Sequence, residues 1–341
     1  MPLPSRIADE SREHIMVQRP HTLCLLPPLA ALGYPFLLMI FNTLVGQSGA
    51  ASQLGALLSL LLALAVPLAG LTVANRPGIT TGMRRLAYLS VAAPSLYVLL
   101  GVVQTLVGSP LPDVLVWSLF WVGAMLLGWE SHQTEAVQAR PVSGLGRWRA
   151  AHGISALVLC CYVIFHLANH LTGLVGPELH ARVMEAGRTV YRAGVVEPLL
   201  VAAFLFQVGS GLYLAWRWSS TRHGWLTTFQ IASGVYLSVF VLGHMNSVFI
   251  YARSFLGIPT DWSFATGGAA GLLMDPWNIR LVPHYTLGVF FVLAHLLAGL
   301  RVVLAAHDVA TSRIRLLWYT GLTGSAALAL AIIAGMVGVR I

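Results

Sequence analysis

The chain has 341 residues, of which 57% are hydrophobic and only 9% are charged. This composition excludes an ordinary soluble domain, in which about a quarter of the residues are charged. The formal net charge of +8 comes with 20 basic residues, all of them arginine, and no basic stretch is interleaved with aromatic residues, so we expect no nucleic-acid partner. The composition predicts an all-α, polytopic membrane protein in contact with lipid.

The chain begins with a polar stretch and continues with nine apolar ones. Residues 1–20 mix acids and bases without an apolar core, and we interpret them as a short polar tail rather than a secretory signal. Windows of about 20 apolar residues, long enough to cross a hydrocarbon core of about 30 Å, then predict nine spans. They are residues 22–46, 52–74, 86–107, 113–130, 152–175, 196–217, 226–251, 282–305 and 316–339. Pro27, Pro28 and Pro35 interrupt the first span, and Pro67 and Pro94 predict kinks in the second and third.

The arginines predict the orientation of these spans. If the N-terminus faces the cytoplasm, 14 arginines fall in inner segments and six in outer segments, as the positive-inside rule requires. We therefore expect an N-terminus inside, a C-terminus outside, and a location in the bacterial cytoplasmic membrane.

The spans divide into two predicted halves. Residues 1–135 form a four-helix module of unknown role whose composition indicates helix packing or lipid contact, and residues 136–341 form a five-helix domain joined to it by a polar linker at 131–150. An outer segment at 177–193 has an apolar face and a charged face, which predicts an amphipathic helix at the membrane interface. The loop at 252–281 is expected to help cover an outward cavity. Cys24, Cys160 and Cys161 lie in apolar runs and lack the spacing of a disulfide or zinc site.

Four histidines fall inside predicted spans, where an ionisable side chain is costly unless a partner or a function holds it. His166 and His244 lie about 21 and 27 Å from the inner ends of their spans by helical rise, within the boundary error of one level. Gln207 and His295 share a deeper level, and His170 lies one turn beyond His166. His152 and His284 fall at span ends, on the inner and outer face respectively. His180 falls in a predicted loop, where a histidine needs no functional explanation. Facing imidazoles at one depth are what a six-coordinate haem b requires.

The C-terminal half resembles a known family. The segments HGISALVLCCYVIFHLANHL, EPLLVAAFLFQVGSGLYLAWRW, FQIASGVYLSVFVLGHMNSVF and PHYTLGVFFVLAHLLAGLRVVL are similar to helices of the single-subunit, five-helix cytochrome b anchor of succinate dehydrogenases and fumarate reductases. That resemblance implies two stacked haems b, each held by two histidines. It also implies electron transfer between a quinone and a flavoprotein and iron–sulfur dehydrogenase partner.

Carried over by position, the resemblance makes His166 and His244 the metal ligands of an outer haem. The inner haem would need a histidine where this chain has Gln207, opposite His295, and an amide is a poor ligand for haem iron. We therefore expect one haem b at most. We expect His170 to contact a propionate or a quinone. We expect arginines of the outer segments to neutralise the propionates; they include Arg188, Arg192 and Arg253. Further polar candidates near the outer level are Asn169, Asn246 and Tyr251.

Three functions remain open at this point. The first is a cytochrome-b-like subunit in quinone-linked electron transfer, at most one part of a membrane oxidoreductase, since the chain has neither a flavin fingerprint nor iron–sulfur cysteines. The second is a haem-free anchor or assembly subunit in which Gln207 and His295 pair within a polar network. The third is a small-molecule transporter, which the absence of inverted repeats and intramembrane acids disfavours.

Overall fold

A computed structural model of the chain describes residues 22–134 and 144–341, without the side chains of residue 22 and of residues 129–134. The predicted polar tail at 1–20 lies outside the described residues, and so do the boundary between the predicted halves and much of the linker at 131–150. Every regular element in the described residues is helical. The all-α fold expected from the composition is therefore confirmed.

Twelve α-helices make up the described fold. They are α1 Leu26–Val45, α2 Ala50–Ala74, α3 Thr81–Val91, α4 Ala93–Leu106, α5 Asp113–Thr134, α6 Gly146–Leu171, α7 Pro177–Tyr191, α8 Val196–Trp218, α9 Trp225–Met245, α10 Trp262–Ala265, α11 Leu281–Ala306 and α12 Thr311–Met336. A π-helical segment, Asn246–Leu256, continues α9 beyond its last α-helical turn. Short 3-10 turns precede α1 and α11 and follow α6.

Among the described residues, seven helices are long and apolar enough to cross a membrane, or eight if the bent pair α3 and α4 counts as one span. These eight coincide with eight of the nine predicted spans. The remaining prediction, residues 113–130, falls on α5, of which the stretch with described side chains, Asp113–Gly128, is an apolar helix. Several membrane-spanning helices are thus supported by length and composition.

The prolines act differently in different helices. α2 continues through Pro67 as one helix. Pro94 instead lies in the first turn of α4, directly after a break at Ala92 where α3 and α4 meet at a bend of 72°. The first backbone N–H groups of a helix have no acceptor within the helix, so a proline there loses no hydrogen bond. Pro94 therefore favours the start of a new helix at this position. In α1, Pro27 and Pro28 occupy the first turn for the same reason, and Pro35 lies inside the continuous helix.

The two predicted halves pack against each other. α4 contacts α9 and α11, and α3 also contacts α9. An ion pair joins the halves, because Arg280 Nη1 donates to Asp113 Oδ2 at 2.6 Å. Gly101 on α4 makes room for this pair, since a Cβ there would lie 2.4 Å from Arg280 Nη1.

Among the C-terminal helices, close contacts run from α6 to α8, from α8 to α9, from α9 to α11, and from α11 to α12. By comparison, the backbones of α6 and α9 come close at few positions. Cofactor sites in helix bundles are built from side chains that face the interior of the bundle.

The segment predicted as an amphipathic helix forms α7, Pro177–Tyr191. It contacts the end of α6 and the short helix α10. Gly173, just after α6, is required by a close approach, because a Cβ there would lie 2.0 Å from the ring of Trp262. α7 and α10 therefore cover the C-terminal end of α6.

Candidate functional site

α6 carries two histidines that face the interior of the bundle at two levels. His152 and His166 are 14 residues apart, close to four helical turns, and this spacing places them on one face of α6. α9 brings His244 to the level of His166, and α11 brings His295 to the level of His152. All four rings are only half-buried, although they lie between helices rather than in loops.

The first pair consists of His166 and His244, whose ring centroids are 5.9 Å apart with planes at 70°. Each ring is oriented by an aromatic neighbour one turn earlier on its own helix: Tyr162 stacks on His166 at 5.5 Å and Phe240 stacks on His244 at 5.8 Å. Among the described residues, neither imidazole of this pair has a hydrogen-bond partner.

The second pair consists of His152 and His295, with ring centroids 6.5 Å apart and planes at 82°. Gln207 of α8 contacts this level, where its Nε2 lies 3.0 Å from His152 Nε2. Its amide oxygen is buried without a hydrogen-bond partner in the described part of the chain. The expected pairing of Gln207 with His295 is therefore replaced by a bond to His152, while His295 bonds to Ser233 at 2.9 Å.

Two more histidines extend the first pair toward α7. The ring of His170 lies 4.7 Å from that of His166 and 5.2 Å from that of His180. His180 is 2% exposed and approaches the amide of Asn169, with its Nε2 3.2 Å from the amide nitrogen. Burial, reinforced by the positive charge of Arg188, lowers the pKa of His180 to about 4. The imidazole of His180 is therefore uncharged at neutral pH, where α7 packs against α6.

The three arginines expected at the propionates lie close together at this end. Arg188 Nη1 pairs with Glu185 at 2.5 Å, and Arg253 Nη1 pairs with Glu197 at 2.6 Å. Arg192 Nη2 donates to the hydroxyl of Thr260 at 2.8 Å. Partial burial, and then the charges of Arg188 and Arg253, lower the pKa of Arg192. Three guanidinium groups near two carboxylates make this a region of net positive charge, which favours an anionic group.

A cavity of about 600 Å³ lies between α4, the π-helical segment and the loop before α11. Its volume falls within the usual range for a small-molecule site. Its lining combines aromatic rings, hydroxyl groups and one carboxylate; these residues include Ser247, Tyr251, Asp261, Phe264, Trp277 and Tyr285. Ser247 of this lining follows His244 by three residues in the sequence, but neither histidine of the first pair lines the cavity. π-helical segments within helices frequently occur at functional sites.

Sequence reasoning missed three histidines that lie between elements, of which His180 and His284 are buried and His152 is half-buried. His152 and His284 were placed at span ends and His180 in a loop, yet all three take part in contacts between elements. His284 is 2% exposed and bonds through Nδ1 to Ser95 of α4 at 3.1 Å. The spacing of 14 residues between His152 and His166 was the available signal for the first of these, since it repeats the same helical face.

Comparison with protein-family models, characterised proteins and solved structures finds no match for this chain.

Proposed function

We propose that this protein is an integral membrane electron-transfer protein that binds haem b through His166 and His244. The observation that carries the proposal is the spacing of the two rings, 5.9 Å between centroids. The two rings lie close together on different helices and have no hydrogen-bond partner among the described residues, so both imidazoles would be available to hold a haem iron.

The set of donors favours haem over a bare metal ion. In the described ranges, 22–134 and 144–341, no group of three or more histidine, cysteine or carboxylate side chains is arranged to hold a metal. Two imidazoles would suit a haem, whose macrocycle already holds the iron, better than a bare ion that needs more protein ligands. They come from α6 and α9, which approach each other closely at few positions.

Haem would supply reversible one-electron oxidation and reduction at this site. The protein side chains would do the rest. Tyr162 and Phe240 orient the imidazoles, and Arg188, Arg192 and Arg253 supply positive charge at the end of the bundle where propionates would lie. His170 would lie beside the haem, within reach of a propionate or another polar group.

Quinone-linked electron transfer is the second part of the proposal. A membrane haem needs a mobile redox partner, and the cavity lined by Ser247 and Tyr251 offers aromatic walls and several hydroxyl groups to a neutral ring. A dehydrogenase partner, an orientation with the N-terminus inside, and a place in the bacterial cytoplasmic membrane follow from the family resemblance and the arginine distribution, and belong to this proposal.

A haem-free anchor is the alternative function. The hydrogen bonds among His152, Gln207 and Ser210 favour it, because they form a polar network without any cofactor.

Replacement of a ligand distinguishes the two functions. In the full-length protein purified after expression with added haem, His244→Gly would lose the haem at the first pair, and added imidazole would restore it by binding in the space left. His307→Gly, at the exposed end of α11, is the control and would leave haem binding unchanged. An unchanged haem content in His244→Gly would contradict the proposal.

A further inference from the structure

We propose that the end of the bundle where α6 begins and α8 ends binds the headgroup of an anionic phospholipid of the phosphatidylglycerol class. Arg147 and Arg149 of α6 and Arg217 of α8 contact its phosphodiester, and its acyl chains lie along the outward face of α6. This inference goes beyond the proposed function and does not depend on haem.

The first turns of α6 lie beside the last turns of α8. The rings of Trp148 and Tyr213 are 5.1 Å apart, and the guanidinium carbon of Arg149 lies 5.7 Å from the ring centre of Trp218. Arg217 Nη1 donates to the hydroxyl of Tyr213 at 3.0 Å. Two arginines from different helices are therefore held against the same small group of aromatic rings.

The three arginines of this end lack acidic partners among the described side chains. The ion pairs found there involve arginines of α7, of the π-helical segment and of the turn before α11 instead. Arg149 makes no side-chain hydrogen bond to the described residues, and Arg217 makes only the bond to Tyr213. The first turn of α6 also carries no acidic residue. Most guanidinium N–H groups of this end are thus available to a phosphodiester, whose negative charge would complement them.

The side chains around these arginines are typical of a membrane–water interface. Trp148, Tyr213 and Trp216 are all exposed on the outside of the bundle, although they are large and aromatic. Tryptophan and tyrosine are enriched at the level of the lipid headgroups. The arginines therefore lie at the level of the phosphates, which favours a lipid over an acidic soluble protein.

α6 offers an apolar face to the acyl chains of the same lipid. Large aliphatic side chains are exposed along it at helical spacing; they are Ile154, Leu157, Val158 and Ile164. This stripe is about 15 Å long by helical rise. Arg147 precedes Ile154 by seven residues, close to two helical turns, and lies on the same face. One face of α6 can therefore contact both the headgroup and the chains of one lipid.

The experiment titrates phosphatidylglycerol or phosphatidylcholine into the purified full-length protein in detergent and counts bound lipid by native mass spectrometry. Each arginine near a headgroup strengthens binding of an anionic lipid about fivefold. We therefore expect the unaltered protein to bind phosphatidylglycerol at least tenfold more tightly than phosphatidylcholine. Arg149→Gln combined with Arg217→Gln would weaken phosphatidylglycerol binding at least tenfold and leave phosphatidylcholine binding unchanged.

Two further pairs of substitutions separate this site from a general effect of charge. Arg313→Gln combined with Arg315→Gln removes the same charge from α12, and we expect it to change phosphatidylglycerol affinity less than twofold. Arg149→Lys combined with Arg217→Lys keeps both charges, and we expect it to stay within about threefold of the unaltered protein. It keeps the test decisive if the glutamine pair fails to fold, which helical circular dichroism reports.

Four results would overturn the inference. The first is equal affinity of the unaltered protein for the two lipids. The second is an equal loss of phosphatidylglycerol in the α12 pair and in the glutamine pair at this end, or a loss of tenfold or more in the folded lysine pair. The third is displacement of phosphatidylglycerol by inorganic phosphate at constant ionic strength, which would indicate a site for a free anion. The fourth is binding of poly-glutamate in place of the lipid, which would assign these arginines to an acidic protein.

Discussion

The ion pair between Arg280 and Asp113 joins the two predicted halves, and we expect its loss to destabilise the fold. Arg280 is 6% exposed and its guanidinium lies between the rings of Tyr97 and Trp277, at 4.4 and 4.7 Å. The second carboxylate oxygen of Asp113 accepts from Gln104 Nε2 at 2.5 Å. Asp113→Asn keeps the size of the side chain but removes the charge that compensates a buried guanidinium.

Removing one member of a buried ion pair typically costs about 3–5 kcal/mol. Asp113 is partly accessible, with a side chain 20% exposed, and the asparagine oxygen can still accept from Gln104. We therefore expect a loss of about 2–4 kcal/mol in the free energy of unfolding. The assay is the unfolding midpoint in detergent, measured against denaturant by loss of helical circular dichroism.

Glu185→Gln provides the matched control, because it removes the carboxylate of an ion pair whose acid is 64% exposed. Such pairs contribute about 0–1 kcal/mol. Combining Asp113→Asn with Arg280→Gln would recover part of the loss, since no unpaired charge would remain. Equal midpoints for Asp113→Asn and Glu185→Gln would refute the inference that this pair joins the two halves.

Two further predictions concern α7 and the cavity. Because the folded pKa of His180 is about 4 and its usual value is 6.5, the docking of α7 is strongest above pH 6.5 and weakens by up to about 3 kcal/mol as the pH falls toward 4. We therefore expect lower hydrogen-exchange protection factors in α7 at pH 5 than at pH 7, with each rate divided by the intrinsic exchange rate at that pH. His180→Gln would remove the difference, and equal protection factors in the unaltered protein would contradict the assignment. Ser247→Phe would fill the cavity and slow reduction of the haem by a short-chain quinol at least tenfold, whereas Ser254→Phe, outside the lining, would not. Unchanged reduction in Ser247→Phe would exclude this cavity as the quinone site.

The fold followed from the sequence because its main determinant is local. Apolar stretches long enough to cross a membrane must satisfy their backbone hydrogen bonds internally, and they therefore form helices wherever they occur. The bend before Pro94 was also predictable from the missing amide hydrogen. The extension of α9 into a π-helical segment was not, because nothing in the local composition distinguishes it from an ordinary helix end.

The candidate site was only partly predictable. Matching depths along the spans brought His166 and His244 together, and the structure places them together. Depth alone did not identify the partner of Gln207, because the rotation of each helix about its axis is set by packing against neighbours. His180 was missed because its burial depends on how α7 folds back over the end of α6, and His284 because its partner, Ser95 of α4, is 189 residues away in the sequence.

A reduced-minus-oxidised absorption spectrum of the purified full-length protein, expressed with haem supplied, shows whether His166 and His244 hold haem iron. We expect a b-type band that is diminished to the same extent in His166→Ala and in His244→Ala and unchanged in His307→Ala. The absence of any band in the folded, unaltered protein, or a band that neither His166→Ala nor His244→Ala diminishes, would contradict it.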